Sequence, residues 1–156
     1  MTWVLKVSVL VSVLFGAGAL SAGPSWAGAA VTLENRVWSK DEALQQMKEF
    51  GECAGYFAAA GDGIEGVKDK KAYHKIIMLE SQRHEIAGAF FGFGHSQTPG
   101  VERFKKIEDA ARARFGALFA QDEKALEAST EINAACNEKS DLIRVVLKQV
   151  FSEELQ

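Results

Sequence analysis

From Ser39 onward apolar residues recur at steps of three and four, and no stretch of comparable strength alternates with the period of two that a half-buried strand requires. That periodicity confines the chain to helices packed on helices. The first helix is predicted to start at Ser39-Lys40-Asp41-Glu42, a capping box in which Ser39 accepts from the backbone three residues on and Glu42 reaches back to the Ser39 N–H. Leu44, Met47, Phe50, Gly51, Ala54, Phe57 and Ala58 carry its apolar stripe, and Gly61-Asp62-Gly63 is expected to end it near Ala60.

A second helix fits Asp69 to about Phe93, with Ile76, Leu79, Ile86, Phe90 and Phe93 facing inward. A loop at Gly94-His95-Ser96-Gln97 follows. Thr98-Pro99 then starts a third helix, because proline lacks the N–H that the first helical position leaves unpaired. This helix runs to about Leu126 on Val101, Phe104, Ile107, Ala111, Phe115 and Leu118. A fourth covers about Thr130 to Phe151 on Ile132, Ala135, Leu142, Val146 and Val150, with Asn137 as a candidate interruption.

Four amphipathic helices on short loops imply an all-α fold, an antiparallel four-helix bundle of up-down-up-down order over residues 39–152, with a lead segment at 30–38. With 156 residues, 47% of them hydrophobic, the chain builds one core.

Residues 1–29 read as a signal peptide: Lys6, then an apolar run from Val7 to Leu20, then small residues that put cleavage after Ala27 or Ala29. The run is about 14 residues, short of the roughly 20 that span a bilayer, so export to the periplasm or outside the cell is expected, with no membrane contact once the leader is removed. Losing Lys6 from the 18 basic residues leaves 17 against 21 acidic ones, a net charge of −4 with interspersed signs. Nucleic acid is therefore not an expected partner. The densest basic group, Lys68, Lys70 and Lys71, is flanked by Glu65 and Asp69.

Cys53 and Cys136 both lie in the exported part, and two thiols in an oxidising compartment are expected to pair. They are not Cys-x-x-Cys, so no thioredoxin-type site is implied. In the expected bundle they sit at one height on the first and fourth helices, where Gly51, Gly55, Ala134 and Ala135 leave room for the close approach a disulfide needs.

Two stripes are interrupted by charge. Arg83 falls among Ile76, Leu79, Ile86 and Phe90, and Glu108 falls among Val101, Phe104, Ala111 and Phe115. An Arg83–Glu108 ion pair is expected, with Glu80 and His84 completing a polar layer that serves either as helix register or as the floor of a pocket. His74, His84 and His95 have no metal-ligand spacing, and Glu80 with His84 alone gives too few ligands, so no metal or other cofactor is assigned. A haem axial pair of Met47 and His84 would lack room for the macrocycle, the glycines after Asp62 do not match a calcium loop, and no activated nucleophile occurs. No catalytic residue is assigned.

Phe90, Phe91 and Phe93 cannot all face one core on a helix that turns about 100° per residue. Phe91 is expected either under Val37 and Trp38 of the lead segment or, with His95, on a surface open to a partner. The reading that follows is a non-enzymatic exported bundle that binds another protein, as an inhibitor, immunity factor or chaperone-like accessory would. A small-ligand or metal-binding bundle using the polar layer is the alternative.

Overall fold

The computed structural model describes residues 31–33, 36–120 and 124–152, with the backbone alone at 124–128 and 152. The leader expected at 1–29 lies outside the described residues. Those described form a short hairpin, four α-helices and a Cys53–Cys136 disulfide.

The lead segment folds as two antiparallel strands, β1 (Val31–Leu33) and β2 (Arg36–Trp38), with Val31 opposite Trp38. Three-residue strands are too short to register as an alternating run, which is why the sequence does not announce them. Val31, Leu33 and Trp38 point into the core and Val37 points out. The Arg36 guanidinium lies 3.6 Å from the Trp38 ring centre and also reaches Glu42 at 3.1 Å, pinning the hairpin to the helix that follows.

Helix α1 (Lys40–Ile64) begins as its sequence dictates: Glu42 N donates to Ser39 Oγ at 3.2 Å and Ser39 N donates to Glu42 Oε2 at 2.8 Å. Such a cap stabilises a helix by about 1 kcal/mol. The helix does not stop near Ala60. It continues through the glycine cluster because Gly61 is buried against Met78 and Asp62 is held by a two-pronged bridge to Arg112, at 2.7 and 2.6 Å. Glycine here permits close approach instead of breaking the helix. The stop comes at Glu65, in extended conformation, before Gly66 at φ +79°.

A 3₁₀ turn (Lys68–Lys70) leads into α2 (Lys71–Phe119), 49 residues long and broken at Ser96 and Gln97. Gln97 has φ 54°, the left-handed region, so the break reverses the chain at a strained non-glycine residue. The arms meet at Gly92 and Gly100: a Cβ on Gly92 would lie 2.8 Å from the Gly100 carbonyl oxygen, and one on Gly100 would overlap the Gly92 carbonyl. No other residue type fits there. Pro99 sits in the first turn beyond the break, where a missing N–H costs nothing. The predicted loop is thus a two-residue hinge, and the third helix stops at Phe119, short of Leu126.

The first arm of α2 is rotated relative to the expected stripe. Ile77, Ser81, His84, Ala87, Gly88 and Phe91 are buried, while Ile76 and Leu79 are exposed and Phe90 and Phe93 only partly covered. Small residues set this phase: Gly88 takes the Phe104 ring against its Cα, and Ser81 Oγ donates to the Ala54 carbonyl of α1 at 3.0 Å. Helices approach where side chains are smallest, so the seam follows Ser81, Ala87, Gly88 and Gly92 even at the cost of exposing two large aliphatics. The second arm behaves as expected, with Phe104, Glu108, Ala111 and Phe115 inward.

The predicted fourth helix is two, α3 (Lys124–Asn137) and α4 (Ser140–Ser152), interrupted just beyond Asn137. Ser140 Oγ donates to the Asn137 carbonyl at 2.7 Å, and Lys139 reaches Glu49 and Gln46 of α1 across the interruption. Ile143 and Val146 of α4 join Met47, Phe50, Phe91 and the hairpin in one core cluster. Cys53, Tyr56, Phe57, Ile77, Phe115 and Cys136 form a second. Ala135, expected inward, is exposed, and Cys136 next to it takes the buried position.

Candidate functional site

Cys53 of α1 and Cys136 of α3 are bridged with Cα atoms 5.6 Å apart, inside the 4.4–6.8 Å that the bond demands. The glycines beside Cys53 serve a different contact from the one expected of them. Gly51 and Gly55 face Ile107, Glu108 and Ala111 of α2, so they seat α1 against the second arm instead of making room for α3.

His84 comes from the first arm of α2 and is 2% exposed. Phe50 and Phe57 of α1 contact its ring at centroid distances of 5.9 and 5.1 Å. Its Nδ1 lies 2.8 Å from the Glu80 carbonyl, one turn back, and its Nε2 lies 3.3 Å from the Cys136 carbonyl. Burial holds the imidazole below its ordinary pKa, against the opposing pull of those carbonyls. A neutral ring has one N–H and faces two acceptors. With the proton at the shorter contact, Nδ1–H donates to Glu80 and Nε2 is the acceptor nitrogen beside the Cys136 carbonyl. A ring nitrogen of His84 and both cystine sulfurs all lie within 4.8 Å of one another.

The Arg83–Glu108 pair does not form. Arg83 Nη1 donates to Glu80 at 2.8 Å, while Glu108, 4% exposed, accepts from Lys105 at 2.9 Å. The rotation of α2 explains this: it turns Arg83 to a half-exposed position where Glu80 is nearest, and it brings Glu85 toward Glu108 instead. Burial, with Glu108 as a like-charged neighbour, pushes the Glu85 carboxyl above its ordinary pKa. The expected layer of Glu80, Arg83, His84 and Glu108 is therefore two separate groups. His84 meets the cystine, and Glu108 meets Lys105 and Glu85. Glu80 joins His84 to Arg83, its carbonyl serving the first and its carboxylate the second.

Phe91 is not a partner surface. It is fully buried, edge-on to Trp38 at 5.2 Å and stacked with Phe50 at 5.9 Å. Of the two covers expected for it Trp38 serves, and Val37 is out in solvent. His95 is partly buried with Nδ1 3.0 Å from Ser96 Oγ at the hinge, so it shares no face with Phe91. Met47 lies against Gly92, in the same buried cluster as Phe50.

The face that sequence reasoning missed is the outer side of the first arm. Tyr73, Ile76 and Leu79, at steps of three, are 57%, 58% and 54% exposed, and Val67 lies open at the preceding turn. Lys68, Lys70 and Lys71 precede this row and Lys75 falls within it, all exposed, with the exposed Glu65 and Asp69 among them. The signal for this face was present in Ala87, Gly88 and Gly92, whose small side chains mark the opposite side as the packed one. Among the described residues no helix is long and apolar enough to cross a membrane. No protein-family model, no curated protein and no solved structure matches this chain.

Proposed function

We propose that this chain is a non-enzymatic exported bundle of up-down-up-down order that binds another protein, in the manner of an inhibitor, immunity factor or chaperone-like accessory. Residues 1–29 serve as its cleaved leader and the mature protein works in the periplasm or outside the cell. A disulfide in a chain with such a start fits that compartment.

The observation that carries the binding role is the exposed row of Tyr73, Ile76 and Leu79. Large apolar side chains at helical spacing, with lysines at the N-terminal end of the row, offer an anchor with a charged border. The charge around it selects the occupant: an apolar segment flanked by Asp or Glu, whose carboxylates meet Lys68, Lys70, Lys71 and Lys75 while its apolar side chains cover Ile76 and Leu79.

Affinity capture from the native compartment, run in parallel with the parent and with an Ile76→Asp, Leu79→Asp double variant, tests this. A stoichiometric partner held by the parent and lost from the variant, with helical content unchanged by circular dichroism, is the expected result. A partner retained equally by both, or none held by the parent, would overturn the reading.

A further inference from the structure

The buried contact between His84 and the cystine has an unusual composition for a purely structural element. It gathers two sulfurs and an imidazole nitrogen within 4.8 Å, from α1, α2 and α3, with the Phe50 and Phe57 rings against the imidazole and the cysteines in a cluster of Tyr56, Ile77 and Phe115. We infer that the dithiol form of this chain binds one zinc-like divalent cation through Cys53 Sγ, Cys136 Sγ and His84 Nε2. The disulfide is then the oxidised, cation-free state of the same site.

Three features of the geometry carry this, independently of the partner surface. With the ring proton on Nδ1, donated to the Glu80 carbonyl 2.8 Å away, Nε2 is the nitrogen left to take a cation, the arrangement a metal-ligating histidine draws from its outer shell. Nε2 is a buried acceptor facing the Cys136 carbonyl, another acceptor, so the ring gains nothing on that side from the oxidised chain. A cation between them would turn that repulsion into attraction. Finally, two thiolates and a dication sum to zero charge, and a neutral cluster is the form that a sealed apolar site tolerates best. That balance favours a dication over a monovalent soft ion, although thiolate and imidazole donors suit both. Three ligands leave a fourth position open.

The chemistry closes. A dithiol reductant attacks the Cys53–Cys136 bond, becomes a disulfide itself, and leaves two thiols on the protein. The cation then displaces both thiol protons, which pass to solvent, as two sulfur–metal bonds form. A newly exported chain arrives already as the dithiol, so cation binding and oxidation compete for the same two sulfurs.

The test reduces the purified protein with a phosphine in denaturant and refolds it without oxygen, with and without Co²⁺ as spectroscopic probe. One Co²⁺ per chain, a thiolate-to-cobalt charge-transfer band, displacement by Zn²⁺ and slowed disulfide formation in its presence are expected. His84→Ala should weaken binding by at least about tenfold, and the oxidised protein should bind none. Absence of the band in a folded dithiol chain, equal affinity in His84→Ala, or equal binding by the oxidised protein would refute the site. Where the dithiol chain stays unfolded without metal, helical content is titrated with Zn²⁺. Recovery of the helix at a Zn²⁺ midpoint that His84→Ala raises at least tenfold supports the site, and no recovery overturns it.

Discussion

Glycine-to-alanine exchange at two positions of this molecule should move stability in opposite directions, because the two glycines meet different surroundings. At Gly55, in the middle of α1, an added Cβ would lie 2.5 Å from the Glu108 carbonyl oxygen, 2.6 Å from Ala111 Cβ and 2.7 Å from Arg112 N. Two of these three atoms are backbone and cannot swing aside, so α1 and the second arm of α2 must separate. Overpacking of this kind costs roughly 1–3 kcal/mol, and forced backbone movement puts Gly55→Ala near the upper end. Helix propensity returns about 1 kcal/mol, for a net loss of about 2. At Gly116, in the last turn of α2, nothing lies within 4 Å of the added atom. Propensity then acts alone, muted at a helix end to about 0.5 kcal/mol of gain. With a urea slope of about 1.5 kcal/mol/M the midpoints of the two variants should differ by nearly 2 M. A Gly55→Ala midpoint at or above that of the parent, with native circular dichroism, would refute the close packing described for α1.

Two further outcomes are expected. Cys53→Ala with Cys136→Ala opens a span of 83 residues, and chain entropy puts the loss near 4.5 kcal/mol, read as a lower urea midpoint with helical content retained in buffer. The oxidised protein should lose stability as pH falls below 6.5, the ordinary value for histidine, because the unfolded chain then binds a proton that buried His84 resists. The slope is at most about 1.4 kcal/mol per pH unit and fades once pH drops through the depressed folded value. His95, also below its ordinary pKa through burial, acts with the same sign and Glu85, raised by burial, with the opposite one, so the His84 contribution is read as the difference between the profiles of the parent and a His84→Gln variant. An unchanged profile would mean that His84 titrates as freely in the folded protein as in the unfolded chain.

Local signals were legible wherever one residue type decides one conformation. Ser39 with Glu42 fixed the start of α1, Thr98-Pro99 marked the restart beyond the α2 hinge, and two cysteines in a chain expected to be exported implied their own pairing. The inward position of Glu108 was legible too, because Phe104, Ala111 and Phe115 outline that stripe without ambiguity. Its partner was not. Lys105 lies one turn away on the same helix, and a local pair forms without waiting for two helices to register.

The phase of the first α2 arm was hidden for a reason that also accounts for both candidate sites. Apolar periodicity weighs Ile76 and Leu79 heavily and Ser81, Ala87, Gly88 and Gly92 hardly at all, yet contact between helices is won by the side that permits the shorter separation. In the ridge of small residues, Gly88 admits the Phe104 ring and Gly92 admits the Gly100 backbone, contacts that a leucine-bearing face cannot make. That choice rotates His84 inward onto the cystine and carries Tyr73, Ile76 and Leu79 outward in the same movement. Substituting the small residues therefore tests more than packing. A variant that shifted this arm back toward its aliphatic phase would withdraw the imidazole from the sulfurs and cover the exposed row together, so cation binding by the dithiol and capture of a partner should fail as one.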